Sequence, residues 1–301
     1  MQSKKPPDLL ITTPETFQIL FTGKNLRASL KDVKWVIIDE IHELAGDERG
    51  AQLSVALERL VEIAGDFQRI GLSATIGSPY EVAQFLGGGR NVKIIETKME
   101  KKMEIDVEMP EVKKEDEKIA RSVECDLQSA AVLRRAMEII DEHNATLFFV
   151  NTRDSAEILA SRLRELGASI EVHHGSLSKD ARIDAEERFR NKEVKSLLCT
   201  SSLELGIDVG HTDFVLQYTS PRQVVRLLQR IGRSGHSIGK VSQGLILTIS
   251  PEDMAEASVI AKRAMKGELE EIKIRKNPLA VLANQIISIA MEYGKIDAGK
   301  M

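Results

Sequence analysis

Short apolar runs alternate along the chain with segments whose apolar positions recur at helical spacing. This is the pattern of an α/β fold with a mainly parallel sheet. In the first third, Leu9–Thr12 predicts a short strand. Thr13 follows as an N-cap, with Pro14 at the first helical position and Glu15 in the first turn. Strands are predicted at Trp35–Asp39, Arg69–Ser73 and Val92–Glu96, and a helix over Ala51–Ala64. A charged stretch at 99–118 contains the strand-like alternation Ile105, Val107, Met109, and its end, Glu111–Lys118, reads as a solvated loop. The domain boundary belongs here.

The later pattern is cleaner. Helices are predicted over Leu127–Asp141, Ser155–Leu166 (stopped by Gly167), Ser178–Arg190 and Pro221–Ile231. Strands are predicted at Thr146–Val150, Ile170–His173, Ser196–Thr200, Asp213–Tyr218 and Leu245–Ile249. Beyond Pro251 the pattern is helical, with a break at Asn277–Pro278. The expected organisation is an α/β domain over 1–98, a linker with a leading strand over 99–118, a second α/β domain over 119–253, and a helical extension over 254–301.

Composition narrows this only at the margins. Hydrophobic residues at 42% and charged residues at 29% are ordinary globular values, which excludes disorder and coiled coil as the overall class. No apolar run approaches the roughly 18 residues of a membrane span. The N-terminal residues contain no apolar signal core, so a cytoplasmic chain is expected. Cys125 and Cys199 make neither a disulfide framework nor a zinc ribbon. A net charge of −4 argues against coating nucleic acid by bulk charge and leaves a local basic track open.

Candidate chemistry sits where strands end, as ligand sites do in open α/β sheets. WVIIDEIHEL at 35–44 runs from a buried strand into two carboxylates and a histidine. There Asp39 suits Mg²⁺ and Glu40 suits a water as general base. Ser73-Ala74-Thr75 ends the next strand, and its hydroxyls alone read equally as a turn. From Phe214 to Ser250 the chain has no Asp or Glu but carries Arg222, Arg226, Arg230, Arg233 and Lys240. The first three, at i, i+4 and i+8, would share one helix face and point to phosphate or nucleic acid. TSSLELGIDVG at 200–210 offers hydroxyls and a permissive Gly206 for close approach to phosphodiester oxygens. His173 and His174 point apart on a strand, and nothing nearby completes a metal site.

These segments fall in the order of superfamily 2 helicase motifs. ITTPE at 11–15, DEIH at 39–42, SAT at 73–75, FFVNTR at 148–153, TSSLELGID at 200–208 and QRIGRSGH at 229–236 resemble motifs Ib, II, III, IV, V and VI. Within the superfamily, DEIHEL, VHHGSLSKDAR and QRIGRSGH look most like the Lhr (large helicase-related) group. NPLAVLANQI at 277–286 resembles the lead-in to that group's winged-helix domain. The resemblance implies tandem RecA-like domains that close on ATP and Mg²⁺ while single-stranded nucleic acid crosses both.

By the same resemblance Asp39 would hold Mg²⁺ and Glu40 would orient the attacking water. His42, Ser73 and Thr75 would couple hydrolysis to closure. Gly206, Asp208, Gln229 and Arg233 would lie at the nucleotide, with Arg233 as arginine finger and Arg230 its neighbour in the motif. Thr13, Pro14, Thr152, Arg153, Thr200 and Ser201 would grip the nucleic-acid backbone, joined by Arg222 and Arg226 from the charge argument.

Two departures stand out. His236 occupies a place where many superfamily 2 proteins carry arginine, a feature shared with Lhr-type sequences. No G-x-x-x-x-G-K-[ST] occurs, so the chain carries no glycine-rich cradle for phosphates. The expectation is therefore a first RecA-like domain that is incomplete, and a chain inactive by itself in ATP hydrolysis. It would be part of an ATP-dependent helicase, with DNA and repair favoured over RNA by analogy. The alternative is a non-catalytic nucleic-acid-binding or complementation subunit that pairs with a separate P-loop-bearing polypeptide.

Overall fold

The computed structural model describes residues 7–96, 102–204, 210–235 and 241–294. The chain divides into two compact units, residues 1–97 with 270–301, and residues 98–269.

In the first unit, α1 (Pro14–Thr22) starts as expected, with the Thr13 hydroxyl accepting from the Thr16 amide at 3.3 Å. There follow α2 (Lys24–Ser29), β1 (Trp35–Ile38), α3 (Ile41–Ala45), α4 (Glu48–Ala64), β2 (Gln68–Gly71) and α5 (Pro79–Gly87). β1 and β2 pair in parallel, Trp35 opposite Gln68 and Ile38 opposite Gly71. The core gathers Phe21, Ile38, Ile41, Leu57 and Leu60. Gly50 is required for α3 to pack on α4, because a Cβ there would sit 1.9 Å from the Leu44 carbonyl oxygen.

Two predicted strands are not strands. Leu9–Thr12 and Val92–Glu96 are apolar but pair with no ladder, and Leu9 and Ile11 are 74% and 88% exposed. An apolar run becomes a strand only when a neighbour takes its backbone hydrogen bonds.

The second unit contains β3 (Met103–Glu108), α6 (Asp116–Ser122), α7 (Leu127–Glu142), β4 (Thr146–Phe149), α8 (Arg153–Glu165), β5 (Ile170–His173) and α9 (Lys179–Arg190). It continues with β6 (Ser196–Cys199), a 3₁₀ turn at Ser201–Leu203, β7 (Phe214–Tyr218), α10 (Val224–Ile231), β8 (Ser242–Leu247) and α11 (Pro251–Lys266). Among the described residues its sheet has six strands in the order β3-β8-β7-β4-β6-β5, every pair parallel.

Period-two alternation sends successive side chains to opposite layers. Leu147, Phe149, Leu197 and Val215 meet Phe189 of α9 and Leu227 of α10. Phe148, Leu198 and Leu216 meet Leu133 of α7 and Leu163 of α8. The expected solvated loop at 111–118 is corrected, since α6 begins inside it. Asp116 is fully buried there and takes a hydrogen bond from Arg134 Nε at 2.8 Å.

The expected extension over 254–301 is split. α11 packs in the second unit, against β3 and α10. After Gly267, in the left-handed conformation that ends α11, the chain runs without regular structure to Pro278. Ile272 and Ile274 in that stretch pack on the first unit's core. α12 (Leu279–Tyr293) then lies on α1 and α4. Arg59 of α4, 9% exposed, donates to Gln285 at 3.1 Å, Ser288 at 3.2 Å and Glu292 at 2.7 Å. A buried arginine so far from its partners in sequence leaves no local signal. No helix among the described residues is long and apolar enough to cross a membrane.

Candidate functional site

In the first unit the carboxyl ends of β1 and β2 are stitched together beyond the ladder. Leu72 N donates to Ile38 O and Ile41 N to Leu72 O, both at 2.9 Å. This holds the 39–42 and 72–75 segments side by side. Asp39 is exposed, and its Oδ1 accepts from the Glu40 amide at 3.0 Å. Glu40 adopts a left-handed backbone conformation, φ 47°, which is uncommon for a residue with a Cβ and clusters at functional sites. His42 is buried, with Nδ1 3.1 Å from Ser73 Oγ and 3.6 Å from Glu40 Oε2. The structure thus brings Glu40, His42 and Ser73 into one contact chain, while Thr75 stays exposed outside it. Thr13 and Pro14 open α1, whose Glu15 is paired with Arg49 of α4 at 2.6 Å. The hydrogen bond from Arg49 holds the Glu15 carboxyl down at about 2.

In the second unit the carboxyl ends of β4, β5 and β6 bound an open cleft of about 510 Å³. It is lined by Asn151, Thr152, Arg153, Asp154, Gly175, Ser176, Thr200 and Ser201. Four residues assigned to the nucleic-acid backbone, Thr152, Arg153, Thr200 and Ser201, therefore meet in one place. Thr152 caps α8, its hydroxyl accepting from the Ser155 amide at 3.1 Å, so a helix N-terminus faces the cleft. Arg153 donates from Nη1 to Ser176 Oγ. Hydroxyls, a guanidinium and a helix N-terminus suit phosphodiester oxygens, with Asp154 the one lining carboxylate opposing them.

The arginine series is corrected. Arg222 precedes α10, with φ 68°, and pairs with Glu256 of α11. Arg226 is exposed on α10. Arg230 is 1% exposed. Its Nε donates to Glu204 Oε1 at 2.8 Å and its Nη1 to Asn151 Oδ1 at 3.1 Å, and it bonds Gln217 as well. With Arg222 before the helix and Arg230 turned inward, the three form no common exposed face, and Arg230 braces the interior through Glu204, Asn151 and Gln217. Glu204 and Glu256, which lie outside the acid-free stretch in sequence, pair with its Arg230 and Arg222.

Arg233 is half-buried and donates to the Glu204 carbonyl oxygen, and Gln229 is half-buried on α10. Gly206, Asp208 and His236 lie outside the described residues.

Sequence reasoning missed Asn151, Ser176 and Glu204. The first two had a signal in their position at strand ends, and Glu204 had one as an acid between leucines.

Asp39 Oδ2 has no hydrogen bond among the described residues, and no three His, Cys, Asp or Glu side chains converge there into a metal cage. One carboxylate is what Mg²⁺ takes from a protein when phosphates and waters complete its shell. The residues present fit such an ion, and they include no glycine-rich cradle for the phosphates.

Two units whose motif residues stand at the carboxyl ends of parallel strands match the tandem RecA-like arrangement of the superfamily 2 helicase family. The DEAD/DEAH box helicase family model matches residues 1–82, and the helicase conserved C-terminal domain model matches residues 130–237. The chain is 42% identical over 301 aligned residues to ATP-dependent helicase Lhr-Core protein 2 of Thermococcus barophilus, covering 96% of this chain and 34% of that protein. It is also 42% identical to ATP-dependent helicase Lhr-Core of Saccharolobus solfataricus, with the same two coverages. The structure of Mycobacterium smegmatis helicase Lhr bound to ssDNA and AMP-PNP aligns with a TM-score of 0.85 at 36% identity. That alignment covers 96% of this chain and 38% of the other. The chain belongs to the Lhr-type helicases, and it spans about a third of the length of the curated relatives it matches.

Proposed function

We propose that the chain supplies part of the ATP-hydrolysis apparatus and the polynucleotide cleft of an ATP-dependent helicase or translocase on single-stranded DNA. The observation that carries the reading is the gathering of Thr152, Arg153, Thr200 and Ser201 around one cleft. The relative from M. smegmatis, whose structure holds ssDNA, supports DNA as the strand. Thr13 and Pro14 offer a second helix N-terminus for the backbone in the first unit, and Arg226 an exposed cation in the second.

Asp39 would hold Mg²⁺, and the ion would supply charge neutralisation at phosphate. Glu40 accepts a proton from water. His42, hydrogen-bonded to Ser73, ties that carboxylate to the 73–75 segment, through which Ser73 and Thr75 report hydrolysis. Arg233, with Gln229, Gly206 and Asp208, forms the second unit's contribution to the nucleotide. A cytoplasmic location and a role in DNA repair complete the reading.

The 301-residue polypeptide, which contains no phosphate cradle, is expected to turn over no ATP by itself, with or without single-stranded DNA. Phosphate release by the purified chain checks this. Turnover that is stimulated by DNA and lost on Glu40→Gln contradicts it.

A complementation role has its own support. Trp35 and Ile37 of β1 are 66% and 60% exposed on one face of the two-stranded sheet, a bare apolar surface for a separate P-loop-bearing polypeptide. Recovery of ATPase on mixing with such a polypeptide favours it.

A further inference from the structure

The paired histidines at the end of β5 are absorbed neither by the hydrolysis residues nor by the cleft lining. Both are buried, His173 fully and His174 at 4% exposure. His173 is the last residue of β5 and His174 follows it directly, so the two side chains leave toward opposite faces of the sheet. Each meets a glutamate from the helix on its own side. His173 Nε2 lies 2.8 Å from Glu186 of α9, and His174 Nε2 lies 2.6 Å from Glu157 of α8.

Their other ring nitrogens reach the cleft-lining turns. The Ser176 amide donates to His174 Nδ1 at 3.3 Å, and Ser202 Oγ lies 2.8 Å from His173 Nδ1. Ser176 lines the cleft, and Ser202 follows its lining residues Thr200 and Ser201.

The protons follow from the partners. A main-chain N–H can only donate, so His174 Nδ1 is an acceptor and its proton sits on Nε2, facing the Glu157 carboxylate. For His173, burial pushes the imidazole's pKa down, and Glu186 opposes that shift in part. Arg182, the other charge acting on His173, works with burial. A neutral ring with its proton toward Glu186 leaves Nδ1 to accept from the Ser202 hydroxyl at 2.8 Å, a hydroxyl it shares with the His173 carbonyl oxygen at 3.3 Å.

We propose that His173 and His174 are positioning residues of the cleft. Each is oriented by its own glutamate and fixes one of the two turns, 200–202 and 175–176, that present hydroxyls to a polynucleotide backbone. This rests on the reading of the cleft given above. Neither imidazole touches the strand; both act through the turns they hold.

Amide isosteres separate positioning from bulk. In His174→Asn the side-chain oxygen still accepts from the Ser176 amide, as Asn does in turns, but the bond to Glu157 is gone. In His174→Gln the amide reaches Glu157 and leaves the Ser176 amide unbonded. Hydrogen exchange of the full chain reads the turns directly, and fluorescence anisotropy with labelled oligo(dT) reads the cleft.

Loss of one hydrogen bond predicts exchange across 175–177 about five- to tenfold faster in His174→Gln, and oligo(dT) affinity weaker by a similar factor. His174→Asn is expected within about twofold of the parent on both readouts. Ser202→Ala should quicken exchange across 200–203, and Ser202→Thr should restore it. Equal unfolding midpoints show that each variant folds. Asn and Gln variants that exchange alike, or Ser202→Ala without effect, overturn the proposal. If exchange splits as expected while the parent chain fails to bind oligo(dT), the positioning stands and the polynucleotide reading fails.

Discussion

Replacing Arg230 by methionine is expected to destabilise the second unit by about 3–5 kcal/mol, the cost of breaking a buried ion pair from one side. Arg230 and Glu204 are 1% and 6% exposed, so the substitution leaves a buried carboxylate without its ion-pair partner. It also strips a donor from Asn151 Oδ1 and from Gln217 Oε1. These amides hold a strained turn. Asn151 Nδ2 donates to Thr219 Oγ1 and to Ser220 O, and Gln217 Nε2 to the carbonyls of Tyr218 and Thr219. Thr219 and Arg222 both have positive φ, at 59° and 68°, which for a β-branched threonine persists only where its surroundings over-determine it. Neutralising the partner as well, in Arg230→Met/Glu204→Gln, should recover more than half of the loss.

The chain contains its own probes. Both cysteines lie in the second unit and Cys199 is fully buried, so thiol labelling against denaturant follows that unit. The single tryptophan, Trp35, lies in the first. A shift in Cys199 labelling with unchanged tryptophan fluorescence is the expected pair of results. Equal shifts in both, or none, contradict the brace.

Replacing Arg153 by alanine is expected to weaken oligo(dT) binding about tenfold, the worth of one charge-assisted hydrogen bond. The slope of log affinity against log salt should fall by about 0.7, the single-strand value for one phosphate that the protein no longer neutralises. Arg153 stands in the first turn of α8, exposed at the cleft, and donates to Ser176. Arg222→Ala is the contrast. Its guanidinium is paired with Glu256 at the surface, and its removal should change affinity by less than about twofold. A salt titration of both variants checks this, and an Arg222 effect larger than the Arg153 effect reverses the assignment.

The second unit was largely legible in the sequence, because its strands are apolar on both faces and their runs stand out between helical periods. Ile170–His173 agrees to the residue. Spatial strand order was not legible, since period-two alternation says nothing about neighbours. The first unit was harder to read. Leu9–Thr12 and Val92–Glu96 have strand composition but no ladder, and composition alone does not distinguish the two.

Charge misled in a specific way. The acid-free stretch over Phe214–Ser250 is real in sequence, but Glu204 and Glu256 lie on either side of it and fold back onto Arg230 and Arg222. Helical spacing of the three arginines also assumed that α10 starts early, whereas Gln223 is its N-cap and Arg222 stands before it. Candidate residues adjoining a strand end, such as Asp39, Glu40 and Thr200, could be proposed from the sequence because a parallel sheet gathers its strand ends on one edge, whereas Thr152 came from the motif resemblance. Asn151 and Ser176 also stand near strand ends, but their bonds, to Thr219, Ser220 and Arg230 for the first and to Arg153 for the second, join segments distant in sequence and needed the fold.

Cross-linking tests the cleft most directly. Ultraviolet cross-linking of oligo(dT) to the intact chain, with the adducts mapped by mass spectrometry, should place them at 151–154, 175–176 and 200–201. Arg153→Ala should deplete them. Adducts confined to other segments, with these three unlabelled, contradict the claim that the strand's backbone lies across the carboxyl ends of β4, β5 and β6.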